Sequence, residues 1–224
     1  MTGSIAQRIT EIRQQLPDRV RLIAVTKQVP VDAMREAYAA GVRDFGESRI
    51  SEASVKRAQL QDLPDITWHL IGHLQSNKAR NALEQHFEWI HSLDSLKLAL
   101  RLNDLAAEMS RKPKVCLQVK ILPDPNKYGW SVPELLADLP ALDECKNLKI
   151  QGLMTIPPLG LESEELRAVF QSTRELSDTI GQKSWLNIQM SHLSMGMSAD
   201  YQLAVEAGAT MIRLGRIIFG ERTL

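Results

Sequence analysis

The sequence predicts an α/β protein, a single (β/α)8 barrel domain formed by residues 1–224. Eight segments have the β-branched, apolar character of buried strands, and seven segments of helical periodicity separate them. Strands that alternate with helices pair in parallel, because each crossover helix packs back onto the sheet. Eight such units, with no linker rich in Gly, Pro or Ser, favour one closed barrel. An open, doubly wound sheet gives a similar pattern and is the alternative.

The first helix is indicated by apolar residues three and four positions apart, at Ile5, Ile9, Ile12 and Leu16. Strands and helices then alternate, and several helices begin with Ser or Pro. The strands are predicted at 21–26, 42–46, 67–72, 89–92, 115–122, 148–156, 188–193 and 211–215. The helices between them are predicted at 31–40, 48–60, 76–85, 93–109, 132–142, 162–180 and 199–207. Residues 217–221 are expected to close the ring.

Composition and charge limit the classes of function. The chain carries 27 basic and 27 acidic residues with no long run of like charge, which argues against a nucleic-acid partner. No segment approaches the roughly twenty apolar residues of a membrane span, and the N-terminus lacks the apolar stretch of a secretory signal. Two widely separated cysteines, Cys116 and Cys145, fit a reducing compartment better than a disulfide framework. We therefore expect a cytoplasmic protein without a membrane partner.

In such a barrel, reactive side chains belong to the loops at the carboxyl ends of the strands. Lys27 lies there after the first strand, where burial would lower the pKa of its amine and let it form an imine. A solvated surface lysine is the alternative interpretation. Lys127, after the fifth strand, is a second strand-end amine, and we interpret it as a solvated loop charge.

The loops after the second and third strands combine glycine with polar residues. Ser48 and Ser76 can cap the helices that follow. His69 and His73 are four residues apart but belong to a strand and its loop, without the glutamate of a helical zinc motif. We therefore predict no metal site, and we interpret His73 as a contact to a ligand ring or as a simple loop histidine.

The loops after the seventh and eighth strands have the features of an anion site. Ser194-Met195-Gly196-Met197-Ser198 opens a helix, so its glycine, its hydroxyls and the free backbone N–H groups can meet a phosphate. Arg213 and Gly215 share parity on the eighth strand, so Arg213 faces the interior if Gly215 faces the mouth. Turn glycines with a structural salt bridge are the alternative. A phosphate site combined with a strand-end lysine suggests pyridoxal 5′-phosphate.

Over nearly its whole length, the chain resembles the pyridoxal phosphate homeostasis proteins, the YggS/PROSC family. The resemblance is carried by Ala24-Val25-Thr26-Lys27, Phe45-Gly46-Glu47, Gly152-Leu153-Met154 and the segments 68–78, 193–198 and 212–220. It implies one barrel like the N-terminal domain of alanine racemase. It also implies that pyridoxal 5′-phosphate is bound as an imine to the lysine that matches Lys27.

The resemblance implies a set of groups around the cofactor: Lys27, Ser48, His73, Met154, Ser194, Arg213, Gly215 and Arg216. The phosphate is expected against Ser194 and the amides around Gly215 and Arg216, and Arg213 is expected to face the pyridine nitrogen. Many family members have a small hydroxyl residue in place of Arg216, so only its backbone amide is carried over. The family usually has asparagine where this chain has Ser48, whose shorter side chain puts a ring contact in doubt.

An arginine at the pyridine nitrogen argues for a carrier rather than a strong catalyst. Arginine cannot accept a proton, and its charge opposes protonation of the nitrogen, which weakens the cofactor's electron sink. A racemase of this type also needs an acid or base on the opposite ring face, and Tyr38, Tyr128 and Tyr201 offer no obvious match. We therefore expect no catalytic residue.

The sequence thus favours a reversible carrier or regulator of pyridoxal phosphate, and the resemblance implies an influence on amino-acid and keto-acid pools. Apoenzymes that depend on the cofactor are the expected recipients, and a monomer is expected because the racemase dimer buries a domain that this chain lacks. A small racemase or lyase, with Lys27 and either His73 or Lys127 as second base, is the alternative. A phosphosugar-binding barrel without pyridoxal is a third interpretation.

Overall fold

The computed structural model describes residues 3–221 and folds them around eight parallel strands. Each strand pairs with the next along the chain, β4 pairs with β5, and β8 pairs back with β1, so the ring is closed. The strands are β1 (Arg21–Val25), β2 (Asp44–Glu47), β3 (Thr67–Leu70), β4 (Trp89–Leu93), β5 (Lys114–Lys120), β6 (Lys149–Met154), β7 (Ile188–Ser194) and β8 (Met211–Leu214). The predicted (β/α)8 barrel is confirmed, because an open doubly wound sheet would not close.

The helices surround this ring, and each predicted helix is present with ends shifted by a few residues. They are α1 (Ile5–Gln14), α2 (Val31–Ala39), α3 (Ile50–Gln59), α4 (Ala79–Glu84), α5 (Leu96–Glu108), α6 (Val132–Asp143), α7 (Ser163–Gly181), α8 (Tyr201–Glu206) and α9 (Arg216–Phe219). Their buried faces pack on the outside of the strands in one apolar cluster.

Serine caps begin three of the helices, at Ser4, Ser95 and Ser131. The expectation that Ser48 caps the next helix is wrong, because α3 begins two residues later behind Arg49, which makes no side-chain capping bond. Ser76 likewise does not cap a helix but is the first residue of a 3-10 turn, Ser76–Lys78, that precedes α4. Ser48 is thereby left in the loop at the carboxyl end of β2.

Two local features differ from the sequence prediction. A two-residue strand, Trp130–Ser131, pairs with β5 outside the ring, and it is too short to give a period in the sequence. Residues 217–221 do not close the ring, because β1 and β8 close it directly, with Arg21 paired to Met211 at the first of four positions. The chain leaves β8 at Gly215 and turns into α9.

The interior of the ring contains a second, smaller cluster of apolar side chains: Ile23, Trp89, Cys116, Met154 and Met211. Polar side chains share this interior, each at most 4% exposed: His69, His91, Ser194 and Arg213. Buried polar groups are costly without hydrogen-bond partners. The contacts among these four side chains are therefore central to the site described below.

Cys116 and Cys145 are free and buried, and desolvation raises the pKa of their thiols to about 12 and about 11. Within residues 3–221, no helix has both the length and the apolar character needed to cross a membrane. The same residues contain no group of three or more His, Cys, Asp or Glu side chains placed to hold a metal ion.

Candidate functional site

The candidate site lies at the carboxyl end of the barrel. Lys27 follows β1 by two residues, Ser48 directly follows β2, and Gly215 directly follows β8. A Cβ added to Gly215 would lie 3.4 Å from the carbonyl oxygen of Val25, so the residue that follows β8 lies against the end of β1. A Cβ added to Gly72 would lie only 2.2 Å from the carbonyl oxygen of Ser48, so the second and third loops touch. The closed ring thus brings residues from distant parts of the sequence to one mouth.

Lys27 is half-buried in a segment held by polar side chains beneath it. Thr26, which is fully buried, donates from Oγ1 to Oε1 of Glu47 at 2.6 Å. The Nζ of Lys56 donates to the same Oε1 at 2.9 Å and to the carbonyl oxygen of Thr26 at 2.5 Å. Gln28 has a φ of 60°, in the left-handed region that non-glycine residues rarely adopt. The Thr26–Glu47–Lys56 cluster, called the clamp below, therefore fixes the backbone that presents Lys27.

Glu52 extends the clamp from α3. Its Oε1 accepts from Nζ of Lys56 at 2.6 Å and from the backbone N–H of Gln28 at 2.5 Å. Desolvation opposes ionisation of Glu52, but the bonds from Lys56 and Gln28 outweigh it and lower its pKa. In Glu47, desolvation outweighs the bonds from Thr26 and Lys56 and raises the pKa. Sequence reasoning missed the clamp, although the spacing of Glu52 and Lys56 on one helix face could have indicated an ion pair.

Arg213 lies inside the barrel just below the mouth. Its Nη1 donates to Oγ of Ser194 at 2.8 Å, and its Nη2 donates to the carbonyl oxygen of Thr155 at 3.0 Å. Desolvation lowers the pKa of the guanidinium to about 10, and the nearby charge of Asp200 opposes that shift. Arg213 therefore stays charged at neutral pH and faces the interior, as its parity with Gly215 indicated.

The two loops of the predicted anion site are in contact. The backbone N–H of Ile217, in the first turn of α9, donates to Oγ of Ser198 at 3.5 Å. Gly196 has a φ of 93°, and a Cβ added there would lie 2.7 Å from the side chain of Ala204 in α8. Arg216, the first residue of α9, is exposed. A half-buried hydroxyl and the amides that begin α9 thus share one corner of the mouth.

Ser194 is bonded differently from the sequence expectation. It is fully buried, and its Oγ lies 2.7 Å from Nδ1 of His91 and 2.8 Å from Nη1 of Arg213. A hydroxyl has one hydrogen and two lone pairs, so most of its bonding capacity is used inside the barrel. Contact between Ser194 and a phosphate stays a prediction. Ser198, which the sequence motif includes but the predicted set of contacts omits, lies against the amides of α9.

The remaining predicted residues lie at different depths. Met154 ends β6 and is fully buried in the interior cluster. His73 is exposed, with Nδ1 2.8 Å from Oδ2 of Asp94. Its ring stacks on that of Tyr128, with the ring centroids 3.5 Å apart and the planes 7° from parallel. This stack joins the loop after β3 to the loop after β5, which also carries the half-buried Lys127.

The structure defines a closed parallel (β/α)8 barrel whose strand-end loops carry the candidate site. The family model of the alanine racemase N-terminal domain matches residues 2–223. An alanine racemase of Clostridium difficile shares the fold, with a TM-score of 0.77 and 15% identity over 97% of this chain and 56% of the racemase chain. This likeness establishes the barrel architecture alone.

Much more similar proteins narrow that class. A pyridoxal phosphate homeostasis protein of Synechocystis is 51% identical over 213 residues, which are 95% of this chain and 96% of that protein. The solved structure of PipY of Synechococcus elongatus PCC7942 with pyridoxal phosphate bound has a TM-score of 0.92 and 52% identity. It covers 97% of this chain and all of that chain. The chain belongs to the alanine racemase N-terminal domain family and, within it, to the pyridoxal phosphate homeostasis proteins.

Proposed function

We propose that this chain binds pyridoxal 5′-phosphate reversibly and acts in its intracellular homeostasis, as a carrier and regulator without strong catalytic activity. The observation that carries the proposal is the closure of the ring, which sets the end of β1, two residues before Lys27, against Gly215, two residues after the buried Arg213. The homeostasis protein of Synechocystis and the PipY structure with pyridoxal phosphate bound support it.

The groups at the mouth fit the chemistry of this cofactor. A phosphate needs hydrogen-bond donors, and Ser198, whose Oγ accepts from the backbone N–H of Ile217, can still donate its own hydroxyl hydrogen. An aldehyde needs an amine, which Lys27 offers, and a pyridine nitrogen can accept from the guanidinium of Arg213. When bound, pyridoxal phosphate supplies an aldehyde that amines attack reversibly and a ring that withdraws electrons.

The residues of this chain favour holding the cofactor over using it. The clamp holds the backbone on which Lys27 is mounted, so the amine is presented from a fixed position. Arg213 keeps its charge at neutral pH, cannot accept a proton, and opposes protonation of a neighbouring ring nitrogen. These properties weaken the electron sink on which carbanion chemistry depends.

The alternative, a small racemase or lyase, is favoured by one observation. His73, held by Asp94 and stacked on Tyr128, is an ionisable side chain at the mouth. Of the other tyrosines, Tyr38 donates its hydroxyl to Asp65, and Tyr201 is buried. A second base at His73 or Lys127 would give exchange of the α-hydrogen of amino acids.

Borohydride trapping tests cofactor binding and its site. The purified protein is mixed with pyridoxal 5′-phosphate, reduced, digested and mapped, alongside Lys27→Ala and the control Lys127→Ala. We expect the label on the peptide that contains Lys27, its loss in Lys27→Ala and its retention in Lys127→Ala. A protein that stays colourless with added cofactor would remove the proposal, and a label retained by Lys27→Ala would reassign the amine.

Incubation with single amino acids in deuterated water separates the carrier from the enzyme. The proposal expects no exchange of the α-hydrogen beyond that caused by free pyridoxal phosphate at the same concentration. Exchange at a rate that depends on Lys27 and is reduced by His73→Gln would favour the racemase or lyase instead.

The finer parts of the proposal concern partners and location. We expect a cytoplasmic monomer that releases its cofactor to apoenzymes. Light scattering measures the mass in solution, and a doubled mass would overturn the monomer. Recovery of activity by a cofactor-free aminotransferase, mixed with the loaded protein, measures transfer. Recovery no faster than with an equal amount of free cofactor would reduce the role to buffering.

A further inference from the structure

A continuous row of polar side chains crosses the interior of the barrel. Starting from β2, Oδ1 of Asp44 lies 2.9 Å from Nε2 of His69, and Nδ1 of His69 lies 2.9 Å from Nε2 of His91. Nδ1 of His91 lies 2.7 Å from Oγ of Ser194, which accepts from Nη1 of Arg213 at 2.8 Å. The row therefore joins the base of the barrel to the candidate site at its mouth.

The two ends differ in their access to solvent. The side chain of Asp44 is 19% exposed and pairs with Arg21 at 3.2 Å. It also lines a cavity of about 390 Å³ at the base of the barrel. His69 and His91 are fully buried. At the base of the barrel, Asp44 is the member of the row that water can reach. Which ring nitrogens of His69 and His91 carry hydrogen therefore depends on whether Asp44 accepts or donates.

The carboxylate fixes the direction of every bond in the row. A carboxylate accepts, so His69 donates from Nε2 to Asp44 and, as a neutral ring, leaves Nδ1 as an acceptor. His91 must then donate from Nε2 to His69, which leaves its own Nδ1 as an acceptor. Ser194 must give its single hydrogen to His91. Each donor in the row points toward Asp44.

Burial favours the neutral state of both imidazoles. Desolvation lowers the pKa of His69, against the opposing influence of Asp44. Desolvation also holds the pKa of His91 well below its ordinary value, with added repulsion from His69 and Arg213. With both rings neutral, each imidazole has one donor and one acceptor, and only one arrangement satisfies the carboxylate at the end.

We propose that Asp44, His69 and His91 are positioning residues: they commit the single hydrogen of Ser194 to His91, so that toward Arg213 and the site at the mouth the hydroxyl can only accept. The link to a bound cofactor rests on the proposed function, whereas the direction of the row belongs to the protein alone. Because the hydrogen of Ser194 is committed to His91, its hydroxyl cannot donate a hydrogen bond to a bound anion. The guanidinium of Arg213 is held from two sides, by Ser194 and by the carbonyl oxygen of Thr155.

Nitrogen NMR of histidine in the cofactor-free protein tests the direction of the row. With ¹⁵N-labelled histidine at neutral pH, we expect Nδ1 of both His69 and His91 to be unprotonated and Nε2 of both to be protonated. Assignment uses His69→Gln and His91→Gln, each of which removes one set of signals. A protonated Nδ1 on either ring would overturn the proposal.

The Asp44→Asn variant tests whether the carboxylate at the bottom of the barrel sets the direction of the hydrogen bonds in the row. The amide can either accept from His69 or donate to it, so the direction of the row is no longer forced, and we expect signals of the opposite tautomer of His91 to appear beside the original ones. The matched control is Asp65→Asn, an exposed carboxylate that bonds Arg43 outside the barrel and should leave the signals unchanged. Unchanged tautomers in Asp44→Asn would show that Asp44 does not set the direction.

The effect on a ligand is measured separately. Arginine only donates, so Ser194 accepts from Arg213 in either direction, and reversal instead frees the hydrogen of Ser194 to donate to a bound phosphate. We therefore expect Asp44→Asn to bind pyridoxal 5′-phosphate up to about tenfold more tightly, the equivalent of one hydrogen bond. Asp65→Asn should bind like the wild type. Equal affinities of Asp44→Asn and wild type would overturn the link between the direction of the row and a bound phosphate. If the wild type itself does not bind the cofactor, the proposed function fails. The NMR result still decides the direction of the hydrogen bonds in the row.

Discussion

The Nζ of Lys56 lies 2.9 Å from Oε1 of Glu47, and the two side chains are 8% and 0% exposed. This buried ion pair connects α3 to the end of β2, beneath the segment that carries Lys27. The other carboxylate oxygen of Glu47 is buried without a hydrogen-bond partner among the described residues. Lys56 is therefore the main compensation for the charge of Glu47.

We predict that Lys56→Met destabilises the protein by about 3–5 kcal/mol, because it leaves a buried carboxylate without its partner. The double variant Lys56→Met with Glu47→Gln should recover much of that loss, since the uncompensated charge is gone. Urea unfolding measures both. The control is Lys146→Met, whose partner Glu144 lies 3.7 Å away with both side chains 70% exposed, and it should unfold like the wild type. Equal midpoints for Lys56→Met and Lys146→Met would contradict the prediction.

Acid should destabilise the fold through the buried imidazoles. Desolvation lowers the pKa of His69 and His91 below about 6.5, so below that pH the unfolded chain binds protons that the folded protein does not. The free energy of unfolding therefore falls as the pH falls from 6.5, by up to about 1.4 kcal/mol per pH unit for each histidine. The loss continues until the pH reaches the folded-state pKa values.

Urea unfolding between pH 7 and pH 5.5 measures this slope. His69→Gln should reduce the slope by the share of one histidine, whatever its effect on stability at pH 7. The raised pKa of Glu47 acts with the opposite sign, but it is common to both proteins and cancels in the comparison. Asp62→Asn is the control, because the pKa of Asp62 lies below 3.8 and outside this range. A slope unchanged by His69→Gln would refute the assignment.

The glycine at position 72 is required by the close approach of two loops. A Cβ there would lie 2.2 Å from the backbone oxygen of Ser48, which cannot move without shifting the mouth. We predict that Gly72→Ala costs about 1–3 kcal/mol and weakens cofactor binding. Gly181→Ala is the matched control, because its Cβ would meet Met190 at an ordinary 3.5 Å, and alanine should stabilise the end of α7 by about 0.5–1 kcal/mol. A Gly72→Ala variant as stable as the control would show that the loops are not rigid.

Two serines compete for the role of phosphate contact. The hydrogen of Ser194 is directed to His91, whereas Ser198 lies against the first turn of α9. We predict that Ser198→Ala lowers the affinity for pyridoxal 5′-phosphate by roughly fivefold to tenfold more than the affinity for pyridoxal. Ser194→Ala should change the affinities for both ligands by the same factor. Quenching of tryptophan fluorescence measures the four affinities. The opposite pattern would show that Ser194 contacts the phosphate, as the family resemblance implies.

The sequence predicted the location of the site better than its bonding. Lys27, Ser48 and Gly215 lie at the carboxyl ends of their strands, because strand and helix periods are local properties of the chain. The capping roles expected of Ser48 and Ser76 failed because helix ends depend on one or two residues, where local signals compete. The clamp around Lys56 was missed because a lysine on an amphipathic helix is usually solvated.

By itself, the sequence determined a (β/α)8 barrel, the placement of a lysine and of glycine-containing loops at one end of it, and the family to which the chain belongs. Only the tertiary structure decided that Ser194 bonds His91, 103 positions earlier, and that His91 bonds His69. Periodicity tells which face of a strand a side chain occupies, but closure and register of the ring tell which side chains meet inside it. Burial then favours each of these contacts, because a polar group left without a partner costs about 1–3 kcal/mol of a stability of only about 5–15 kcal/mol.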